Sequence, residues 1–234
     1  MIINWGDAPF KAFITVTYPA GTCTVTGEGQ TYTHSGGGTK TFTVKKKGTY
    51  TASLVWGSLK DSASVSITKH SETKAVELVG WVYNSGTEIV ALEVQKDVGN
   101  HNNGLGSVTK MSSHISIAIP NAYVGTGITS SSKINFGGAK TMYVTISSPY
   151  YYVSSLDAGL IVSLCASKTA YDYRARTNIV EKRIQESSMQ ATTYALSVPS
   201  GTTSAYIGVH LWGQWTSATP YTLVSCNVTK IWFE

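Results

Sequence analysis

The chain has 234 residues, 42% of them apolar and only 13% charged, with a formal net charge of +5. Thr and Ser together fill 58 positions, so the polar surface is built from hydroxyls, which suits strands rather than helices. The aromatic and β-branched content excludes a disordered chain, and three Arg are too few for phosphate or base readout by guanidinium forks.

The first third alternates with period two. Ala12, Ile14, Val16 and Tyr18 point one way, and Phe13, Thr15 and Thr17 the other. Phe42 and Val44 repeat the pattern, as do Tyr50, Ala52, Leu54 and Trp56, then Ala63, Val65 and Ile67. Pro19-Ala20-Gly21, Gly36-Gly37-Gly38, Lys47-Gly48 and Trp56-Gly57-Ser58 read as turns. Short strands at this spacing with one apolar face predict a small Ig-like β-sandwich over residues 1–74. Trp56 is expected to anchor its core. The charged stretch Lys69–Lys74 marks the expected boundary. Residues 1–74 hold eight Lys against four acidic residues, whereas 75–234 hold ten basic against nine acidic. The excess centres on Lys45-Lys46-Lys47, which reads first as a solvated hairpin tip.

Residues 75–234 are again strand-like, with candidates at Val76–Tyr83, Glu88–Lys96, His114–Ile119, Thr141–Ile146, Leu160–Ala166, Thr192–Val198, Tyr206–Trp212 and Leu223–Phe233. About eight strands predict a larger jelly-roll-type β-sandwich, so the fold class is all-β. Ile179–Met189 fits a helix and a strand equally well. The loops Asp97–Gly106 and Ser148–Val153 are rich in turn-formers and tyrosines respectively, and read as connections or as ligand-facing loops.

Leu160–Ala166, the most apolar run, is too short for a membrane helix, which needs about 20 residues. Asn4 follows Ile2-Ile3 at once, so no stretch of signal-peptide length opens the chain; the expectation is synthesis in a host cytoplasm. Cys23, Cys165 and Cys226 form neither a disulfide framework nor a metal spacing. Parity places Cys226 in phase with Val224, Val228 and Trp232 facing the core, and Cys165 facing outward. This disfavours a Cys165–Cys226 bridge without excluding it.

No catalytic motif is present, none of the five His has a metal-ligand spacing, and no cofactor or metal is expected. Asp172-Tyr173-Arg174 reads as a surface charge pair, and the sequon Asn227-Val228-Thr229 as chance in a Thr-rich chain. Binding has the better physical case. In Tyr206–Trp212, the row Ile207, Val209 and Leu211 is committed to the core, so Tyr206, His210 and Trp212 should face away from it, with Trp215 just beyond. Aromatic rings beside a hydrogen-bonding side chain suit a sugar, because the ring stacks on the C–H face of a pyranose. They suit a protein partner equally, and packing under a neighbouring loop or subunit would also account for them.

Ile14–Thr33 (ITVTYPAGTCTVTGEGQTYT) followed by Gly48–Thr68 (GTYTASLVWGSLKDSASVSIT) resembles the small immunoglobulin-like domains in virion proteins of tailed phages of Gram-positive gut bacteria. Ala205–Gln214 with Val224–Glu234 resembles the last two strands of carbohydrate-binding-like jelly rolls. The resemblance implies a non-enzymatic virion protein, tail-associated or decorating the capsid. It would occur in many copies or as a homo-oligomer, with other virion proteins as partners and a cell-surface glycan as candidate ligand. Neither nucleic acid nor membrane is an expected partner. The alternative is a secreted carbohydrate-active enzyme, or a carbohydrate-binding module of a bacterial surface protein.

Overall fold

The computed structural model describes residues 9–96, 106–119, 125–152, 158–168, 178–213 and 223–234. It is all-β, and the chain divides into two compact units, Met1–Trp56 with Lys60–Gly80, and Gly57–Leu59 with Trp81–Glu234.

The first unit contains β1 (Ala12–Tyr18), β2 (Thr22–Gly27), β3 (Gln30–Ser35), β4 (Gly38–Val44), β5 (Gly48–Trp56), β6 (Leu59–Ile67) and β7 (Thr73–Glu77). Two sheets, ordered β4-β1-β7 and β6-β5-β2-β3, form a sandwich. In the first, β1 runs antiparallel to β4 and parallel to β7. The alternation seen in the sequence becomes burial: Ile14, Val16, Phe42, Val44, Cys23, Val25, Tyr50, Leu54 and Trp56 are all buried. The opposite phase supplies the hydroxyl surface. Thr15 pairs with Thr41 at 3.0 Å, Thr17 with Thr39 at 3.0 Å, and Thr51 with Ser64 at 2.9 Å. Such cross-strand rungs are a physical reason for so many Thr and so few charges.

Lys69–Lys74 is a stitched turn of the first unit. The Glu72 carboxylate accepts the Thr68 amide at 2.8 Å and the Lys69 amide at 3.2 Å, and pairs with Lys74 at 2.7 Å. Lys74, then the Thr68 amide, hold its carboxyl down at about 2. The Ser71 amide bonds Lys11 O, and the Phe13 amide bonds Glu72 O. The expected division at 74/75 therefore falls inside β7, and the two units part at Gly80 and Trp81.

The second unit contains β8 (Gly80–Asn84), β9 (Thr87–Glu88), β10 (Leu92–Lys96), β11 (Ser107–Lys110), β12 (Ile115–Ile119), β13 (Gly125–Ser130), β14 (Ile134–Asn135), β15 (Thr141–Tyr152), β16 (Ala158–Cys165), β17 (Asn178–Gln185), β18 (Thr193–Ser197), β19 (Ser204–Gly213) and β20 (Leu223–Phe233), with one 3-10 turn at Glu186–Ser188. One sheet orders as β18-β15-β20-β12-β11, and the other as β10-β13-β19-β16-β17. From β12 to β20, β14 aside, successive strands alternate between the two sheets except at the β16–β17 hairpin, which stays within one sheet; this is a jelly-roll-type arrangement. Ile179–Met189 resolves as β17 and the 3-10 turn. The core lies between Ile115, Ile117, Val144, Ile146 and Cys226 on one side and Leu160, Val162, Leu164, Val209 and Leu211 on the other. Phe136 stacks on Phe233 with centroids 4.5 Å apart.

β20 departs from simple parity. A register shift lets Thr145 face Lys230 while Ile146 faces Val228, so Val228 and Ile231 both point inward. The extra residue carries Phe233 into the core and turns Trp232 out. Trp232 then stacks on Tyr143 at 5.1 Å and meets Trp81 at 5.5 Å. A bulge is not visible in a run whose residues alternate on paper.

Candidate functional site

The outer face of the β10-β13-β19-β16-β17 sheet gathers most of the chemistry in the second unit. On β19, Ala205, Ile207, Val209 and Leu211 are buried against the core, as their alternation requires. The opposite set is Tyr206, Gly208, His210 and Trp212. Tyr206 is half-buried, but His210 is only 5% and Trp212 only 1% exposed. Facing away from the core thus does not place these two rings in solvent. The expected display of His210 and Trp212 is corrected, whereas Trp215 lies outside the described residues.

Glycines explain how large rings can lie down on a sheet. His210 sits opposite Gly127 on β13, and Trp212 opposite Gly159 on β16. A Cβ on Gly127 would lie 2.7 Å from His210 Cδ2, and one on Gly208 would lie 2.8 Å from His210 Cε1. A Cβ on Gly159 would lie 2.8 Å from Trp212 Cη2. The rings fill the troughs that the missing side chains leave. All eight residues of β16 are buried, so Cys165, expected to face solvent, is covered as well, at 6% exposure. None of the three cysteines is in a disulfide, and all are buried.

A polar chain runs from this dry centre to the wet edge of the sheet. The Cys165 thiol donates to Asn178 Oδ1 at 3.2 Å, and Asn178 Nδ2 donates to Glu181. Arg183 Nε donates to the other Glu181 oxygen at 2.6 Å. The Arg183 guanidinium then lies 5.8 Å from the Trp212 ring centroid, within cation–π range. Beneath it, Trp212 Nε1 is buried and meets no acceptor among the described residues. At the opposite edge Lys168 pairs with Glu93 at 2.6 Å, and Gln95 reaches Glu93 at 3.5 Å. The edge groups are accessible, with Arg183 and Gln185 exposed and Asn178, Glu181, Glu93 and Gln95 half-buried.

Asn178, Glu181, Arg183 and Gln185 were not singled out in the sequence because the β17 segment read equally as helix. Strand parity alone would have put Glu181, Arg183 and Gln185 on one face. Among the described residues, no group of three His, Cys, Asp or Glu could hold a metal, and no helix is long and apolar enough to cross a membrane. Asp172-Tyr173-Arg174 and residues 97–105 of the turn-rich loop lie outside the described residues. Tyr150 and Tyr151 of the tyrosine-rich stretch are exposed on β15, at 49% and 46%.

No protein-family model matches the chain, and no curated protein matches it. Among solved structures it is similar to a low-affinity xylan binding module, CBM86, from the gut symbiont Roseburia intestinalis (10% identity over 62% of this chain and 95% of that one, TM-score 0.34). It is also similar to a structure described for carbohydrate-binding modules of the β-sandwich superfamily (14% identity, 97% and 99% covered, TM-score 0.42). A third is the enzymatically active domain of bacteriophage CBA120 tailspike protein 4 (9% identity, 72% of this chain and 26% of that one, TM-score 0.33).

Proposed function

We propose that the second unit binds carbohydrate without transforming it, on the β17 side of the outer face just described. The observation that carries this reading is the chain Asn178–Glu181–Arg183, ending over Trp212, whose indole N–H has no acceptor among the described residues. Sugar hydroxyls both donate and accept, and planar carboxylate, amide and guanidinium groups meet adjacent hydroxyl pairs two at a time. Tyr206 and Trp215 remain the proposed aromatic contacts, while His210 and Trp212 act from beneath as a buried floor. Two carboxylates of this face among the described residues are tied to cations, Glu93 to Lys168 and Glu181 to Arg183, whereas glycoside hydrolysis uses two carboxyls free to act across one bond.

The test is a polysaccharide array with the full chain, followed by Arg183→Ala and Glu181→Gln. Binding that weakens about tenfold or more with unchanged melting temperature supports the site. No retention on any polysaccharide, or retention indifferent to both changes, overturns it. Release of reducing ends would establish the carbohydrate-active-enzyme alternative instead. A finer reading places the protein on a phage particle, as a tail-associated or capsid-decorating component present in many copies. It rests on the resemblance of Ile14–Thr33 and Gly48–Thr68 alone, and absence from purified virions would overturn it.

A further inference from the structure

The lysine run of the first unit stands beside a groove. Gln30, Thr31, Tyr32, Lys45 and Lys46 line a surface depression of about 320 Å³ between β3 and the β4–β5 turn. We propose that this groove binds an oxyanion-bearing saccharide, with the pyranose against Tyr32 and its carboxylate or phosphate at Lys45–Lys47. The site belongs to a different unit from the face proposed above and does not depend on it.

Three observations converge here. First, the floor is pre-organised. The Tyr32 phenol donates to Gln30 Oε1, which also accepts the Lys45 amide at 3.1 Å, while Gln30 Nε2 donates to the Tyr50 phenol at 3.1 Å. Tyr50 in turn donates to Lys46 O at 3.0 Å. The amide of Gln30 is thus engaged by the fold, and the polar groups left to a ligand are the lysine ammonium groups and the exposed Thr31 hydroxyl. Second, those cations, Lys45, Lys46 and Lys47, form no ion pair among the described residues. Lys46 Nζ reaches a neutral carbonyl, Glu28 O, at 3.4 Å. The Glu28 side chain packs against Gly48, so this corner carries three lysines and one carboxylate. Third, the aromatic wall is backed. Tyr32 leans on the buried Phe42 at 6.3 Å, which holds its ring in place and leaves it half-buried at the groove. Stacking needs a ring fixed in that way, and a neutral sugar would leave the lysines unused.

The full chain is titrated with polygalacturonate, with phosphorylated dextran, and with neutral dextran, at low and at 0.2 M salt. The anionic polymers should bind, neutral dextran should not, and salt should weaken the binding because exposed charges are screened within about 10 Å. Whichever anionic polymer binds more tightly identifies carboxylate or phosphate as the preferred group. Lys45→Gln/Lys46→Gln/Lys47→Gln should weaken binding about tenfold or more. A control of equal charge change, Lys11→Gln/Lys60→Gln/Lys69→Gln, should leave it within about twofold. Tyr32→Ala should weaken it while the circular-dichroism spectrum is retained; if that variant unfolds, the lysine triples decide alone. Equal loss in both triples would reduce the effect to net charge and overturn the proposal. Equal binding of neutral dextran, or tighter binding of a DNA oligonucleotide, would overturn it too. Arg183→Ala should leave this binding unchanged, so failure here and failure of the second unit's site are read separately.

Discussion

Removing the Trp56 indole should collapse one unit and spare the other. Trp56 closes β5 in phase with Tyr50, Ala52 and Leu54 and is 4% exposed. It packs so close to β2 that a Cβ on Gly21 would lie 2.7 Å from Trp56 Cβ. A buried aromatic removes about 150–250 Å² from water, worth roughly 4–6 kcal/mol at about 25 cal/mol per Å². Measured Trp→Ala losses of about 3–5 kcal/mol agree with that range. The first unit has about 77 residues, for which a total stability of roughly 4–12 kcal/mol is usual. Trp56→Ala therefore takes about a quarter or more of it, and lowers the melting temperature of that unit by at least about 12 °C. Scanning calorimetry of the full chain is the assay. We expect two transitions in the wild type, one displaced in Trp56→Ala, and the other displaced in Phe233→Ala, whose ring is fully buried against Phe136. A loss below about 1 kcal/mol would refute the burial argument. A single transition with equal calorimetric and van't Hoff enthalpies would refute independent units.

Glu72, held at about 2 against an ordinary 4.5, favours the folded state in its ionised form. Its contribution is present above pH 4.5 and is lost as pH falls toward 2; urea midpoints between pH 6 and 2 should drop more steeply in wild type than in Glu72→Gln, and parallel profiles would contradict this. Burial pushes the Cys226 thiol up to about 12 and raises Cys23 as well, so Ellman's reagent should label almost no thiol in native protein. It should label three in guanidinium without reductant, whereas a single equivalent would reveal a disulfide. Gly159→Ala forces a side chain onto a residue at φ +152° and against the carbonyl of Ile184. It should cost more than about 1 kcal/mol and shift the tryptophan emission through Trp212; unchanged emission would mean the ring does not rest there.

The strand phases of the first unit were legible because each strand has one wet face, so Ile14, Val16, Tyr50 and Leu54 declare themselves by spacing alone. The limits of the second unit have separate physical causes. Trp232 changed faces because an extra residue near Thr145 and Ile146 shifts the register, and no composition cue marks it. The division point moved from Lys74 to Gly80 because Glu72 turns a charged stretch into a hydrogen-bonded corner. A run of charges reads as a linker until its partners are known. The β17 site residues were hidden by a pattern common to helix and strand.

His210 and Trp212 show where single-strand parity stops being sufficient. Parity settles which side of the sheet a residue takes, while exposure depends on the strands to left and right, which the sequence places far away. Gly127 is 83 residues from His210, and Gly159 is 53 from Trp212, yet each lies directly opposite. Glycine lets each ring approach the sheet closely, and the centre of this face is dry while its β17 edge is wet. A dry aromatic floor beneath an accessible guanidinium strengthens the hydrogen bonds Arg183 can offer, since fewer waters compete for it. The ligand contacts are therefore expected at Asn178, Glu181, Arg183 and Gln185, with the rings of β19 fixing their height above the sheet.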